Sequence, residues 1–364
     1  MSASTKKVIC VTVCDHWIGY GIARSLLLSQ NKDSDYTIRA IGRDMRCMKI
    51  LEEFGAEVIQ INYENHETIE HACQDCTWMI MISEMDENRV TMAKTFVDVC
   101  KKVDVKNLCF LSTLGANDAK EKSLCDFREM ERCVESTVDY WTILRLSFLD
   151  QRLHHFAQDV SEKGVLPLPI RSQDSMAPIH FDDLQCVLVH LMFREDGTFI
   201  PRMDSKHQRK HYTLTGPEIV NGEMMVNMLN KVLDREDEEK ITFEEITREE
   251  SEEYLKSPCD EINEFTTGMI GSLLQKFKHL WSGAPDSEGD DVKKQEKKDD
   301  TEDLTPPLCP CDMEIEIILD FFDYVKEGKA NHVSGDFKKI TGEEPKRLVD
   351  FFKSHRDEFD RRRQ

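Results

Sequence analysis

The chain has 364 residues, of which 40% are hydrophobic, 8% aromatic and 32% charged. This length exceeds that of one small module, and the composition is typical of a soluble globular protein rather than a fibrous or membrane protein. The formal net charge of −22, from 48 Lys and Arg against 70 Asp and Glu, argues against a non-specific binder of nucleic-acid backbones.

The acidity is concentrated in two short segments. Residues 236–253 contain ten acidic and two basic side chains, and residues 285–303 contain nine and four. Apart from prolines, the only apolar side chains in 285–306 are Val292 and Leu304, so burial cannot offset the entropy of ordering this stretch. We predict an acidic helical insertion at 236–284 and a disordered charged insert at 285–306.

Cysteine usage and the start of the chain bear on location. Thirteen cysteines are scattered through apolar runs, which is typical of reduced core thiols, and we interpret Cys73 and Cys76 in the same way despite their C-x-x-C spacing. We predict no metal site. Residues 1–7 are short and polar, and no apolar run reaches the roughly 18 residues of a membrane span. We expect a cytoplasmic or nuclear protein without a membrane partner.

The first half of the chain alternates between β-rich apolar runs and amphipathic helical segments. Predicted strands cover residues 7–13, 36–41, 56–61, 77–82, 107–112 and 141–145, with helices between them. Such alternation indicates an α/β fold with a doubly wound parallel sheet, and we assign residues 1–151 to a Rossmann-type domain. The later pattern is mixed, with a strand at 211–215 and helices at 181–193 and 222–233. We assign residues 152–235 and 307–364 to a smaller C-terminal α/β subdomain.

Several sequence stretches carry a family resemblance by their order and spacing. They are VTVCDHWIG at 11–19, IGRD at 41–44, FGAEVIQIN at 54–62, VKNLCFLSTLGA at 105–116, WTILR at 141–145, PIHFDDL at 178–184 and YTLTGPE at 212–218. This frame resembles the NmrA-like family of atypical short-chain dehydrogenase/reductase proteins. The resemblance implies a Rossmann domain with a smaller C-terminal subdomain, in a fold commonly used to bind NADP(H).

The phosphate-binding loop departs from the family pattern. The three glycines of the family's G-x-x-G-x-x-G loop fall on Val13, His16 and Gly19, so only the glycine for helix packing remains. The imidazole of His16 would occupy space that a pyrophosphate needs, and Asp15 adds negative charge beside it. We therefore expect weak or lost binding of NADP(H), the cofactor that the resemblance implies.

The candidate cofactor-binding residues follow the predicted strands. The resemblance places an arginine for the 2′-phosphate of NADP at Arg43, although a solvated charge at a strand end is the simpler interpretation. The hydroxyls among the candidates can equally cap the next element. The set comprises Thr12, Trp17, Ile18 and Gly19 in the first loop, then Arg43, Asn62, Ser83 and Ser112.

No residue supports ordinary reductase chemistry. Enzymes of the wider superfamily use a Tyr-x-x-x-Lys pair as proton donor, and the lysine that NmrA-like relatives often keep maps to Phe127 or, with a slip of one residue, to Arg128. We assign no catalytic residue. Our hypothesis is a catalytically degenerate regulatory or interaction module with a protein partner and no nucleic-acid partner. The alternative is an NADP(H)-binding redox sensor or reductase with a reshaped phosphate loop. A third interpretation is an interaction scaffold whose disordered insert at 285–306 presents its charged surface to a partner. For the assembly we consider a homodimer.

Overall fold

The structure is a computed structural model that describes residues 7–30, 34–236, 239–256 and 310–360. The predicted disordered insert at 285–306 and residues 237–238 and 257–284 of the predicted acidic insertion lie outside the described residues. None of the helices in the described ranges is long and apolar enough to cross a bilayer.

Seven parallel strands form the central sheet. Their spatial order is β3-β2-β1-β4-β5-β6-β9, and every neighbouring pair is parallel. The order reverses between β1 and β4, which puts the switch point of a doubly wound sheet beside the loop after β1. The strands are β1 (Lys7–Val11), β2 (Tyr36–Gly42), β3 (Glu57–Gln60), β4 (Cys76–Ile82), β5 (Asn107–Thr113), β6 (Tyr140–Leu146) and β9 (Lys210–Leu214).

Helices cover both faces of this sheet, which explains why its strands are continuous apolar runs. One face packs against α1 (Trp17–Leu28) and α7 (Phe181–Met192), and the other against α3 (His66–Cys73), α4 (Arg89–Lys102) and α5 (Lys122–Thr137). The short helix α2 (Lys49–Glu53) follows a 3₁₀ turn at Met45–Met48. The Rossmann-type sheet predicted from the sequence is confirmed.

The remaining elements form the smaller subdomain around a third apolar cluster. It contains the parallel pair β7 (Val165–Leu168) and β11 (Thr242–Glu245) and the antiparallel pair β8 (Ser175–Met176) and β10 (Val220–Asn221). A 3₁₀ segment at Asp150–Phe156 leads into it from β6. Its helices are α6 (Ala157–Lys163), α8 (Gly222–Leu233), α9 (Arg248–Lys256), α10 (Asp312–Lys326), α12 (Leu348–Ser354) and α13 (Arg356–Phe359), while α11 (Asp336–Thr341) packs beside α7 and β9.

Two boundaries differ from the sequence-based prediction. Strand β9 is the seventh strand of the large sheet, although we predicted that residues 210–214 belong to the subdomain. Residues 242–245, expected within an acidic helix, form a strand that pairs with β7. The reason is that Ile241 is buried and Phe243 packs against α8, so the alternation of apolar and polar side chains at 241–244 outweighs the helical charge spacing.

Candidate functional site

The loop after β1 keeps the backbone path of a glycine at a position where the chain has valine. Val13 has a φ of 55°, in the left-handed region that a β-branched residue seldom adopts. Its side chain is buried, with 3% exposed, so packing holds the residue in this conformation. Val13, at the position where the resemblance places the first loop glycine, therefore makes the left-handed turn that a glycine would make there.

Gly19 lies in the first turn of α1, where the helix crosses the end of β1. A Cβ atom on Gly19 would lie 2.2 Å from the carbonyl oxygen of Val13 and 2.6 Å from that of Thr12. Both neighbours are backbone atoms that cannot move aside. The predicted role of this glycine in close helix packing agrees with this geometry.

A carboxylate from the far end of the chain is bound at the N-terminus of α1. Glu314, in the first turn of α10, accepts a hydrogen bond from Trp17 Nε1 at 3.2 Å, and its other oxygen lies 3.0 Å from Nε2 of His16, the N-cap residue. The guanidinium of Arg152 contacts the same carboxylate and lies over the Trp17 ring. Rossmann folds bind pyrophosphate at this end of the first helix. In this protein the residues at the N-terminus of α1 bind the carboxylate of Glu314 instead.

The surroundings of Glu314 keep its carboxylate ionised near neutral pH. Burial alone would raise the pKa of Glu314, but the positive charge of Arg152 and the contact with His16 outweigh it and hold the pKa well below its ordinary range. The Glu314 side chain is 3% exposed and that of Arg152 7%. The pair is therefore a buried, charged contact between the cleft and the subdomain.

A second carboxylate occupies the end of β2. Asp15 accepts hydrogen bonds from the backbone N–H groups of Arg43 and Asp44 at 2.8 and 3.0 Å. The Arg43 guanidinium is itself engaged, at 3.2 Å from Glu84 and 3.1 Å from Asp86. A phosphate arriving at Arg43 would meet three carboxylates there.

Glu84, directly after β4 and Ser83, is the buried member of this group. It is 4% exposed and accepts a hydrogen bond from the Tyr63 hydroxyl at 3.0 Å. Burial raises the pKa of Glu84 to about 7, although Arg43 opposes the shift. Its charge therefore changes within the neutral pH range.

Between the sheet and α10 lies an apolar cavity of about 120 Å³. Pockets that bury drug-sized ligands measure several hundred Å³, so the space left beneath α10 is too small for a dinucleotide. The cavity is lined from the sheet side by Ile18, Ser83, Ser112 and Phe127, and from α10 by Glu314, Ile317, Ile318 and Phe321.

The structure brings most of the predicted residues together and gives several of them structural partners. Ile18, Ser83 and Ser112 line the cavity. Thr12 joins β1 to β4, since its hydroxyl donates to the Ile82 carbonyl at 3.2 Å and accepts from the Ile82 N–H at 2.8 Å. Asn62 lies in a turn, where its side chain accepts from the Glu64 N–H at 2.9 Å.

Phe127 and Arg128 occupy the position to which the resemblance maps a lysine. Phe127 faces the cavity, beneath the buried guanidinium of Arg89 at 5.0 Å from the ring centroid. Arg128 lies 2.9 Å from Glu131, a buried carboxylate that also pairs with Arg145 at 2.7 Å. The Ser112 hydroxyl donates to the same carboxylate at 2.7 Å. The polar groups on this side of the cleft are thus bound to one another.

Sequence reasoning missed Glu314 and Arg152, which lie outside the predicted Rossmann range. A signal for Glu314 was present in the helical periodicity, because residues 314, 318, 321 and 325 share one face of α10 and the other three are Ile, Phe and Val. A carboxylate on an otherwise buried apolar face needs a charged partner. Nothing in the sequence identifies Arg152 as that partner, because the two residues are 162 positions apart.

Comparison with known proteins agrees with the fold. Residues 21–164 match the model of an NAD(P)H-binding family. The chain is 19% identical over 268 residues to an NAD(P)H azoreductase of Xenophilus azovorans, covering 73% of this chain and 85% of the relative.

Solved structures give the same result for the fold. Triphenylmethane reductase of Citrobacter sp., solved with NADP(H), superposes with a TM-score of 0.65 at 15% identity, covering 94% of this chain and 98% of that one. The negative transcriptional regulator NmrA, solved with NADP, gives a TM-score of 0.53 at 12% identity, covering 88% and 95%. Residues 21–164 thus match an NAD(P)H-binding family model, and the chain has the fold shared by NmrA and these reductases, so the resemblance predicted from the sequence is confirmed.

The residues of this cleft nevertheless fit an anionic dinucleotide poorly. The end of α1 is engaged by the Glu314 carboxylate, the end of β2 by that of Asp15, and Arg43 by Glu84 and Asp86. A phosphate group would have to displace these carboxylates or be repelled by them. The fold is shared with cofactor-binding proteins, whereas the charged and hydrogen-bonding groups named here are paired with carboxylates of the chain itself.

Proposed function

We propose that this chain is a catalytically degenerate NmrA-like protein that works as a regulatory or interaction module and binds NADP(H) weakly or not at all. The observation that carries the proposal is the Glu314 carboxylate, which is bound by His16, Trp17 and Arg152 at the end of α1. A group with the charge of a phosphate oxygen is supplied by the chain itself, so an incoming cofactor gains little there.

The covering helix is held from both sides, which supports a closed cleft as the stable state. Asp320 of α10 accepts a hydrogen bond from the Ser123 hydroxyl of α5 at 2.6 Å and from Arg248 of α9 at 2.8 Å. The Tyr324 hydroxyl donates to Asp118 at 3.1 Å. Opening the cleft would break these contacts as well as those of Glu314, so the cofactor's apparent affinity would fall by the cost of opening.

The decisive experiment is a titration of the full chain with NADPH and NADP, followed by NADPH fluorescence and by thermal shift at physiological salt. We expect no saturation in the micromolar range for the wild-type protein. Glu314→Gln removes the internal anion and leaves Arg152 available to a phosphate, so its affinity for NADPH should rise by about tenfold or more.

The matched control is Glu316→Gln, which removes an exposed carboxylate from the same helix. It should bind NADPH as weakly as the wild type. Micromolar binding by the wild-type protein would contradict the proposal, and an unchanged affinity in Glu314→Gln would show that this carboxylate does not limit binding.

The second candidate is an NADP(H)-binding redox sensor or reductase with a reshaped loop. The observation in its favour is Val13, which keeps the left-handed turn of the family loop at φ 55°. For this function Arg43→Ala should weaken binding of NADP(H) more than that of NAD(H). The control is Arg46→Ala, whose guanidinium is exposed and pairs with the neighbouring Asp44. Equal losses for both cofactors would eliminate this candidate.

For a regulatory module the expected partner is a protein rather than nucleic acid, in line with the net charge of −22. The partner can be a second copy of the chain. Sedimentation at several concentrations separates a homodimer from a monomer that awaits a different protein.

A further inference from the structure

Three side chains with metal-binding groups meet where the last helices pack on the 3₁₀ segment after β6. His154 comes from that segment, His355 is the N-cap residue of α13, and Glu358 lies three positions later in that helix. Their ligand atoms are all within 4.8 Å of one another. Side chains three positions apart lie on the same side of a helical turn, so the spacing of His355 and Glu358 lets them converge on one point.

Local hydrogen bonds orient one of the imidazoles for binding. Nδ1 of His355 lies 2.9 Å from the carbonyl oxygen of Phe351. A carbonyl oxygen can only accept, so Nδ1 carries the proton and the lone pair of a neutral ring is on Nε2. Histidine ligands of metal sites characteristically donate their other ring N–H to a carbonyl or carboxylate in this way.

The surroundings combine an apolar wall with an opening to solvent. The ring of His154 lies 5.1 Å from that of Phe351 and 4.7 Å from that of His355, centroid to centroid. The His154 side chain is 4% exposed and its Nδ1 contacts the carboxylate of Glu358, whose side chain is 43% exposed. A metal ion can enter past Glu358 and bind in a site whose inner side is fixed by packing.

We propose that His154, His355 and Glu358 bind Zn²⁺, with water as the fourth ligand. Two imidazoles and one carboxylate are a ligand set that suits zinc, whereas Mg²⁺ and Ca²⁺ favour oxygen ligands. Tetrahedral Zn²⁺ with bonds of about 2.0–2.1 Å holds its ligand atoms about 3.3 Å apart, so small side-chain movements complete the site. The bound ion would link α13 to the segment that carries Arg152, two residues from His154.

A second cluster in the described residues combines one histidine with two carboxylates. Glu131, Glu135 and His211 also converge, yet Arg128 and Arg145 pair with the two carboxylates. A cation there would have to displace guanidinium groups. This cluster therefore provides a matched control.

The test is calorimetric titration of the full chain with ZnCl₂ after removal of metal with EDTA and dialysis. We expect one Zn²⁺ per chain for the wild type. Glu358→Gln and His355→Gln should each weaken this binding by about tenfold or more, and Glu135→Gln should leave it within about twofold of wild type.

Co²⁺ in place of Zn²⁺ supplies a second readout, since its visible absorption reports coordination by nitrogen and oxygen ligands. The absorption should be present in the wild type and in Glu135→Gln, and lost in Glu358→Gln. Should His355→Gln fail to fold, the exposed Glu358→Gln variant decides the question. The proposal is overturned if the wild-type protein does not bind Zn²⁺. It is also overturned if a folded Glu358→Gln variant binds Zn²⁺ as tightly as the wild type, which is the result expected if cysteines bind the ion instead.

Discussion

At the scale of single residues, the loop after β1 places a valine in a left-handed backbone conformation that glycine adopts more easily. Val13 has a φ of 55° and is buried against the core. A left-handed conformation costs an L-residue about 1–2 kcal/mol, which burial of the valine side chain offsets at about 1.5–3 kcal/mol. Burial of the Val13 side chain thus stabilises the left-handed turn, which a glycine would adopt without strain.

This balance leads to a test with a matched pair. Val13→Gly relieves the strain while it loses the packing, so we expect the free energy of unfolding to fall by only about 1 kcal/mol. Val11→Gly removes an equally buried valine from β1, where no strain is relieved, and should cost about 3 kcal/mol or more. Urea denaturation of both variants measures the difference. Equal losses would mean that Val13 is not strained.

At the scale of elements, the packing of α1 on β1 depends on one of the two glycines in the first half of the helix. The Cβ of an alanine at position 19 would overlap backbone carbonyls of the preceding loop, whereas at position 21 it would meet the ring of Phe181 at 2.8 Å. Rigid backbone and a movable side chain give these two contacts different consequences. The register of the helix on the sheet is set at Gly19.

We therefore expect Gly19→Ala to destabilise the protein by more than about 3 kcal/mol or to prevent folding, because the helix must move off the strand. In Gly21→Ala the helical preference of alanine, about 1 kcal/mol, offsets the displacement of the Phe181 ring. Its melting temperature should stay close to that of the wild type. Thermal denaturation followed by circular dichroism compares the two, and a tolerant Gly19→Ala would contradict the close packing.

At the scale of the whole molecule, the buried carboxylates of the cleft couple stability to pH in opposite directions. Glu314, with a lowered pKa, stabilises the fold above the pKa of an unfolded glutamate, and this contribution is lost as the pH falls into the acid range. Glu84 has a pKa of about 7 in the folded state and of about 4.5 in the unfolded state. Between these two pH values it is protonated in the folded state and ionised in the unfolded state. Stability from Glu84 therefore declines as the pH rises through this window.

The prediction is that Glu84→Gln flattens this part of the pH profile. Because the pKa of Glu84 is raised to about 7, the free energy of unfolding of the variant should rise by on the order of 3 kcal/mol relative to that of the wild type between pH 5 and pH 8. The loss of the contact between Glu84 and Arg43 reduces this gain. Urea denaturation at the two pH values measures this gain.

Asp86→Asn is the control for this experiment. Asp86 also pairs with Arg43, but hydrogen bonding to Asn88 lowers the pKa of Asp86, so its ionisation lies below the window. The difference between Asp86→Asn and wild type should be the same at pH 5 and pH 8. Parallel profiles for wild type and Glu84→Gln would contradict the raised pKa of Glu84.

How far the sequence leads depends on the range of the interactions involved. Strand and helix periodicities act within windows of a few residues, so the parallel sheet, the helices around it and the altered glycine loop could all be predicted from the sequence. The placement of β9 beside β6 and of β11 beside β7 could not, because a strand's partner is chosen by the packing of distant elements.

The sequence by itself determined a Rossmann-type fold, a glycine at position 19, and the presence of Val13 and His16 where the resemblance places phosphate-loop glycines. Only the tertiary structure decided which groups lie at the N-terminus of α1, where Rossmann folds bind a phosphate. Glu314 reaches His16 across 298 positions of sequence, and Arg152 joins them from the subdomain. A buried charge needs a partner in space rather than nearby in the chain, and long-range packing alone supplies it.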